Sequence, residues 1–223
     1  MENVFGMVSS HRDTLQMIVK ALRNIVTPDG DSYKVQVAVL DPLNFQVPQR
    51  RKRVYIMGVL KMGRTDVVIE WPTPTGKVSL RSIMKHDAKL ASYSAYPLPE
   101  SKILKQRILE AIAKSKEMVK YQPSIKVESV PIIIDGFGRA LNWGIDESPT
   151  LTKTRCASFG FWSLQHARRL TIKELMRLQG VNPARVNLQG VTKRQLASML
   201  GNAFTVPVMT CLIKAAIEAS ERH

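Results

Sequence analysis

Two cysteines in 223 residues, Cys156 and Cys211, are too few for a disulfide framework and allow one bridge at most. Neither has a second Cys or a His at metal-ligand spacing, so no metal is expected and both thiols read as reduced, in an intracellular protein. Aromatic residues are scarce at 6%, and 18 acidic residues face 33 Lys and Arg, for a formal net charge of +15. Long apolar runs are missing as well. Lys, Arg or Pro breaks each of them well short of the roughly 18 residues a spanning helix needs, and no signal-peptide pattern opens the chain, so no membrane or secretory role is expected. The shortage of negative charge is the most informative of these absences. It points to a polyanion, whose phosphates release condensed counterions when Lys and Arg neutralise them. A merely solvated basic surface is the alternative, and composition leaves both open. With 44% hydrophobic residues the chain has material for a sizeable core, and its length suits one domain or one and a half.

Apolar positions Leu15, Ile18, Val19 and Leu22 recur at helical spacing and predict a helix from about Ser10 to Ile25, with Ser10 and Asp13 as a capping-box-like start. From Tyr33 the period becomes two, placing Tyr33, Val35, Val37 and Val39 on one face, and a second strand is expected from Val54 to Leu60. Helix followed by strands is α/β material. After Lys61, Pro72, Pro74, Pro97 and Pro99 interrupt the pattern around one long helix near Ile103 to Val119, which reads as a separate irregular lobe. Past Arg168, capping boxes at Thr171 with Glu174 and at Thr192 with Gln195 open two helices, the second closing at Gly201. Pro207 suits the first turn of a last helix.

Four segments then stand out together: Glu2-Asn3-Val4; Val47-Pro48-Gln49-Arg50-Arg51-Lys52-Arg53; Arg168-Arg169-Leu170-Thr171-Ile172-Lys173-Glu174 with Arg177-Leu178-Gln179-Gly180; and Gly201-Asn202-Ala203-Phe204-Thr205-Val206-Pro207-Val208. In this order they resemble the Glu-Asn-Val, Gln-x-Arg-x-Arg, Arg-x-Leu-Thr-x-x-Glu and Gly-Asn-Ala-x-x-Val-Pro-Val motifs of the DNA cytosine-5 methyltransferases, with a lobe of suitable length between the second and third. The resemblance spans essentially the whole chain and departs from the pattern only mildly, as at Ile172 where the family often has Pro. It implies the C-terminal part, from Glu-Asn-Val onward, of an α/β Rossmann-like domain dependent on S-adenosylmethionine, with an inserted irregular target-recognition lobe. The expected divisions are 1–61 for a catalytic-domain segment, 62–167 for the lobe and 168–223 for the return to the catalytic domain.

The family's Gly-rich cofactor turn and its Pro-Cys nucleophile loop precede Glu-Asn-Val, and neither occurs in this sequence. Cys156 and Cys211 lack the preceding Pro and lie late in the chain, so neither stands in for the nucleophile. The resemblance makes Glu2 the carboxyl group that assists at cytosine N3, Arg53 the contact to O2 and Arg51 a contact to neighbouring nucleic-acid backbone. It places Gly201, Asn202 and Ala203 beside the S-adenosylmethionine pocket. Gln49 reads as structural, closing the turn after Pro48, and Arg168 and Glu174 as a pair tying the lobe back to the catalytic domain. Within the lobe, Arg81, Lys85, Arg155 and the Thr150-Leu151 pair are the expected DNA contacts. The function implied is a DNA (cytosine-5) methyltransferase fragment or split subunit, inactive alone and working on double-stranded DNA when a complementing N-terminal half is present. A catalytically inactive DNA-binding or regulatory module is the alternative. The related tRNA-methylating branch carries a Cys-Phe-Thr that this chain lacks. The compartment expected is nuclear in a eukaryote and cytoplasmic in a bacterium.

Overall fold

The computed structural model describes residues 1–64, 66–84, 99–121, 130–137 and 140–221. Its first sheet holds β1 (Glu2–Val4), β2 (Tyr33–Leu40) and β3 (Arg53–Leu60) in the order β1-β3-β2, with both pairings antiparallel. The alternation along β3 decides the layers. Val54 and Ile56 pack with Val35 on Leu15 and Val19 of α2 (Arg12–Arg23), which follows the single turn of α1 (Gly6–Ser9). Tyr55, Met57 and Val59 face the other way, onto Val208, Leu212, Ala215 and Ala219 of α7 (Val206–Glu221). A strand apolar on both faces and helices apolar on one stripe thus give a helix–sheet–helix sandwich, each buried Val, Leu or Ile contributing about 1.5–3 kcal/mol. The expected cap at Ser10 does not form. Ser10 instead closes α1, its N–H donating to Gly6 O, and His11 precedes α2 without a side-chain cap.

The second sheet holds β4 (Ile132–Asp135), β5 (Asn142–Ile145), β6 (Phe161–Ser163) and β7 (Arg168–Arg169), antiparallel in the order β5-β4-β6-β7. Ile132 and Ile134 face Leu104, Ile108 and Ala111 of α3 (Lys102–Tyr121), the long helix expected here. Ile133, on the opposite face, enters the largest cluster with Leu151, Cys156, Phe161, Leu175, Leu196 and Leu200, and so joins the sheet to α4 (Lys153–Ala157), α5 (Ile172–Arg177) and α6 (Lys193–Asn202). Val67 and Ile69, placed in the lobe, pack with α7 on the first sheet, and residues 168 to 202, expected on the catalytic side, share the core of the second sheet. The chain returns to the first sheet with α7.

Both expected capping boxes form, at Thr171 with Glu174 and at Thr192 with Gln195. Glu174 is fully buried and its carboxylate accepts two hydrogen bonds from Arg168, at 2.8 and 2.9 Å. Burial alone would push its pKa up, but the Arg168 and Thr171 hydrogen bonds outweigh it and hold the carboxyl at about 2. No single helix among the described residues is long and apolar enough to cross a membrane.

Candidate active site

The two-residue period that sends Val54 and Ile56 to α2 sends Arg53 and Tyr55 to the other face. Register with β1 sets Glu2 opposite Tyr55 and Val4 opposite Arg53, so the carboxylate, guanidinium and phenol share one side of the sheet. Arg53 Nε lies 3.3 Å from Glu2 Oε1, with the two side chains only 14% and 16% exposed. Glu2 Oε1 is shielded from solvent and receives no hydrogen bond. Tyr55, buried, has its pKa pushed up to about 12, first by desolvation and then by the Glu2 charge, so it stays a neutral hydroxyl at physiological pH. Sequence reading passed over Tyr55, although the period that pairs Arg51 with Arg53 reaches it two residues later.

Arg51 and Gln49 have a different task. Arg51 is 5% exposed and donates to the carbonyls of Leu151 and Ala203, the latter at 3.1 Å, with Gly201 O at 3.5 Å. Its fork therefore meets protein carbonyls from the lobe and from the Gly-Asn-Ala stretch, where the resemblance had it meeting nucleic-acid backbone. Burial, then the nearby Arg53, lowers its pKa from the ordinary guanidinium range. Gln49 closes no local turn with its side chain. Fully buried, it donates to Leu178 O at 2.6 Å and accepts from Leu151 N at 3.0 Å. Backbone bonds Arg50 N to Ser148 O and Ser148 N to Pro48 O complete a staple between the head of β3 and the lobe.

The Leu151 side chain is 0% exposed in the main core, and its backbone belongs to the staple. Thr150 donates its hydroxyl to Arg50 O. Arg155 sits 3.4 Å from Asp135 Oδ2 and donates to Phe137 O at 2.8 Å, while Arg81 is exposed on a short turn. Lys85 lies outside the described residues. Cys156 is fully buried and desolvation pushes its pKa up to about 12, so it offers no thiolate near neutral pH.

Gly201 packs against the start of α4. A Cβ there would stand 2.3 Å from the Thr152 backbone, so glycine at this position lets α6 close onto the start of α4. Gly180, at φ +71°, has a similar reason: a Cβ would stand 2.2 Å from Pro207 Cδ. Asn202 is exposed, and Ala203 lends its carbonyl to Arg51. The next residue, Phe204, reaches a cavity of about 240 Å³ whose other walls include Met1, Glu2, Tyr55, Met57, Met209 and Leu212.

Residues 1–218 match the family described as C-5 cytosine-specific DNA methylase. The chain belongs to this family. It is 30% identical over 191 residues to the type II methyltransferase M.HaeII of Haemophilus aegyptius, covering 84% of this chain and 52% of the relative. It is 24% identical over 226 residues to M.HpaII of Haemophilus parainfluenzae, covering 98% of this chain and 59% of the relative. The chain thus spans between half and three fifths of these relatives. The solved structure of the Entamoeba histolytica methyltransferase EhMeth shares its fold at 14% identity and a TM-score of 0.55, covering 99% of this chain and 62% of that one. A DNA modification methyltransferase encoded within an E. coli prophage does so at 17% identity and 0.56, covering 99% and 69%.

Membership of the cytosine methylase family implies S-adenosylmethionine as methyl donor. The described residues do not make a full cradle for it. Glu2 is the one carboxylate lining the cavity, Gly201 is filled against Thr152, and of the Gly-Asn-Ala-Phe stretch Phe204 alone lines it.

Proposed function

We propose that this chain supplies the DNA-reading lobe and the base-facing carboxylate and guanidinium of a DNA (cytosine-5) methyltransferase. On this reading the thiolate and most of the cofactor site come from sequence outside these 223 residues. Cytosine C5 is a poor nucleophile until a thiolate adds to C6, which pushes electron density onto N3 and O2. A carboxyl group aimed at N3 and a guanidinium at O2 stabilise that charge as it develops. The observation that carries the reading is Glu2 Oε1: on a cavity wall and hidden from solvent, it is ion-paired with Arg53 Nε at 3.3 Å but accepts no hydrogen bond. An enclosed carboxylate oxygen that accepts no hydrogen bond suits a ligand that brings a donor, as the exocyclic amino group beside N3 of an extruded cytosine does. Arg51 and Gln49 act as positioning residues that fix β3 to the lobe. A second support is the outer edge of β1, which pairs with no other strand among the described residues. That edge and the cavity beside it are where the rest of a catalytic sheet would join.

The DNA half of this reading is tested by duplex binding as a function of salt. The log–log slope should be about −0.9 per phosphate neutralised, and Arg81→Ala should flatten it by about one such increment. Arg81 serves because it is exposed and its side chain supports no core element. Binding without salt dependence would contradict the proposal.

A further inference from the structure

Phe137, just after β4, is 49% exposed and belongs to none of the buried clusters, yet it is not loosely held. Its N–H donates to Asp135 Oδ1 at 3.1 Å, and its carbonyl accepts from Arg155 Nη1 at 2.8 Å. The Arg169 guanidinium carbon stands over the ring, 5.7 Å from its centroid, and Arg169 itself is braced on the carbonyls of Ser158 and Phe159 at 3.0 and 2.8 Å. Gly160 makes the room: a Cβ there would come within 2.6 Å of Phe137 Cδ2. The end of β4, the helix α4, the turn at Ser158 to Gly160 and the strand β7 therefore converge to fix one half-exposed ring, with the Arg169 guanidinium over its face and Arg155 tied to its backbone carbonyl. Core packing does not call for this arrangement, because the ring is left in water.

A half-exposed apolar ring held under one guanidinium, on a chain of net charge +15, fits a ligand that presents apolar groups inside a polyanion. Duplex DNA does so in its major groove, where the thymine C5-methyl is the apolar feature that side chains such as Phe contact, while phosphates lie to either side. We infer that Phe137 is a sequence-reading contact of this lobe and takes a thymine methyl. Arg169, over the ring, and Arg155, on its backbone carbonyl, hold Phe137 in place. This rests on the DNA-binding reading above and goes beyond it by naming the reading group and what it reads.

The test starts by selecting duplexes bound by the purified chain from a randomised pool. Each thymine of the selected site is then replaced by deoxyuridine, which removes only the methyl. Wild type should lose about tenfold in affinity at one position, the size of a typical single-position penalty. Phe137→Ala should bind the thymine and deoxyuridine duplexes equally, with an unchanged salt slope and an unchanged unfolding midpoint. Equal deoxyuridine sensitivity in Phe137→Ala and wild type overturns the inference, as does selection of no preferred sequence. Failure of the wild-type chain to bind any duplex overturns the DNA-binding reading itself and leaves the ring to a protein partner.

Discussion

Arg53→Ala, in an enzyme reconstituted from this chain and the cofactor-bearing part of a relative, is expected to lower single-turnover methylation by about 100-fold or more, the usual cost of removing a donor from developing charge. Affinity for the same duplex should change less than about threefold. The asymmetry follows from placement. Arg53 is 14% exposed and directed along the sheet face toward Glu2, and on the proposed reading it meets a base that has left the stack and not a phosphate of the intact duplex. Gel-shift titration and rapid-quench methylation on one oligonucleotide give both numbers. Equal losses in the two would make Arg53 an ordinary phosphate contact.

Glu174→Gln is expected to cost about 3 kcal/mol at neutral pH, since a carboxyl held at about 2 instead of its ordinary 4.5 stabilises the folded state by that order. Its folded pKa is depressed, so the contribution is fully present above 4.5 and lost as pH falls through the interval toward 2. Chemical denaturation of wild type should therefore show an acid limb across that window, and Glu174→Gln should lack this part of the limb. Arg168 keeps a side chain 35% exposed, so it regains water when its partner is neutralised, and the loss falls below that of a fully buried orphaned charge. An unchanged midpoint at pH 7 would mean that the pair contributes nothing.

Those two residues illustrate what the sequence makes legible. Local rules acted as read: β2 and β3 follow their two-residue alternation, and Thr171 and Thr192 cap the helices their spacing announces. Contacts between distant segments were not legible. Nothing in the spacing of Arg51 says that its fork will meet carbonyls 100 and 152 residues away, or that Gln49 will bridge Leu151 and Leu178. Such partners are set by how the second sheet docks on the head of β3, which no local pattern encodes. For the same reason the close packing of Gly201 on Thr152 is not legible in one dimension. Tyr55 could have been found, by carrying the period from Arg51 and Arg53 one step further. Phe137 could not, because what marks it is the convergence of Arg155, Arg169 and Gly160 around its ring.

The central claim, that this chain holds the base-facing half of a cytosine methylation site whose nucleophile lies elsewhere, is tested most directly by covalent trapping on 5-fluorocytosine DNA. The chain alone, the part of M.HaeII that lies ahead of its match to this chain, and the two mixed are each incubated with the duplex and S-adenosylmethionine, and the products run on a denaturing gel. The mixture alone should give a protein–DNA adduct, carried by the M.HaeII segment and diminished by Glu2→Gln in this chain. An adduct formed by this chain alone and mapped to Cys156 or Cys211, or a mixture indifferent to Glu2→Gln, would contradict the account.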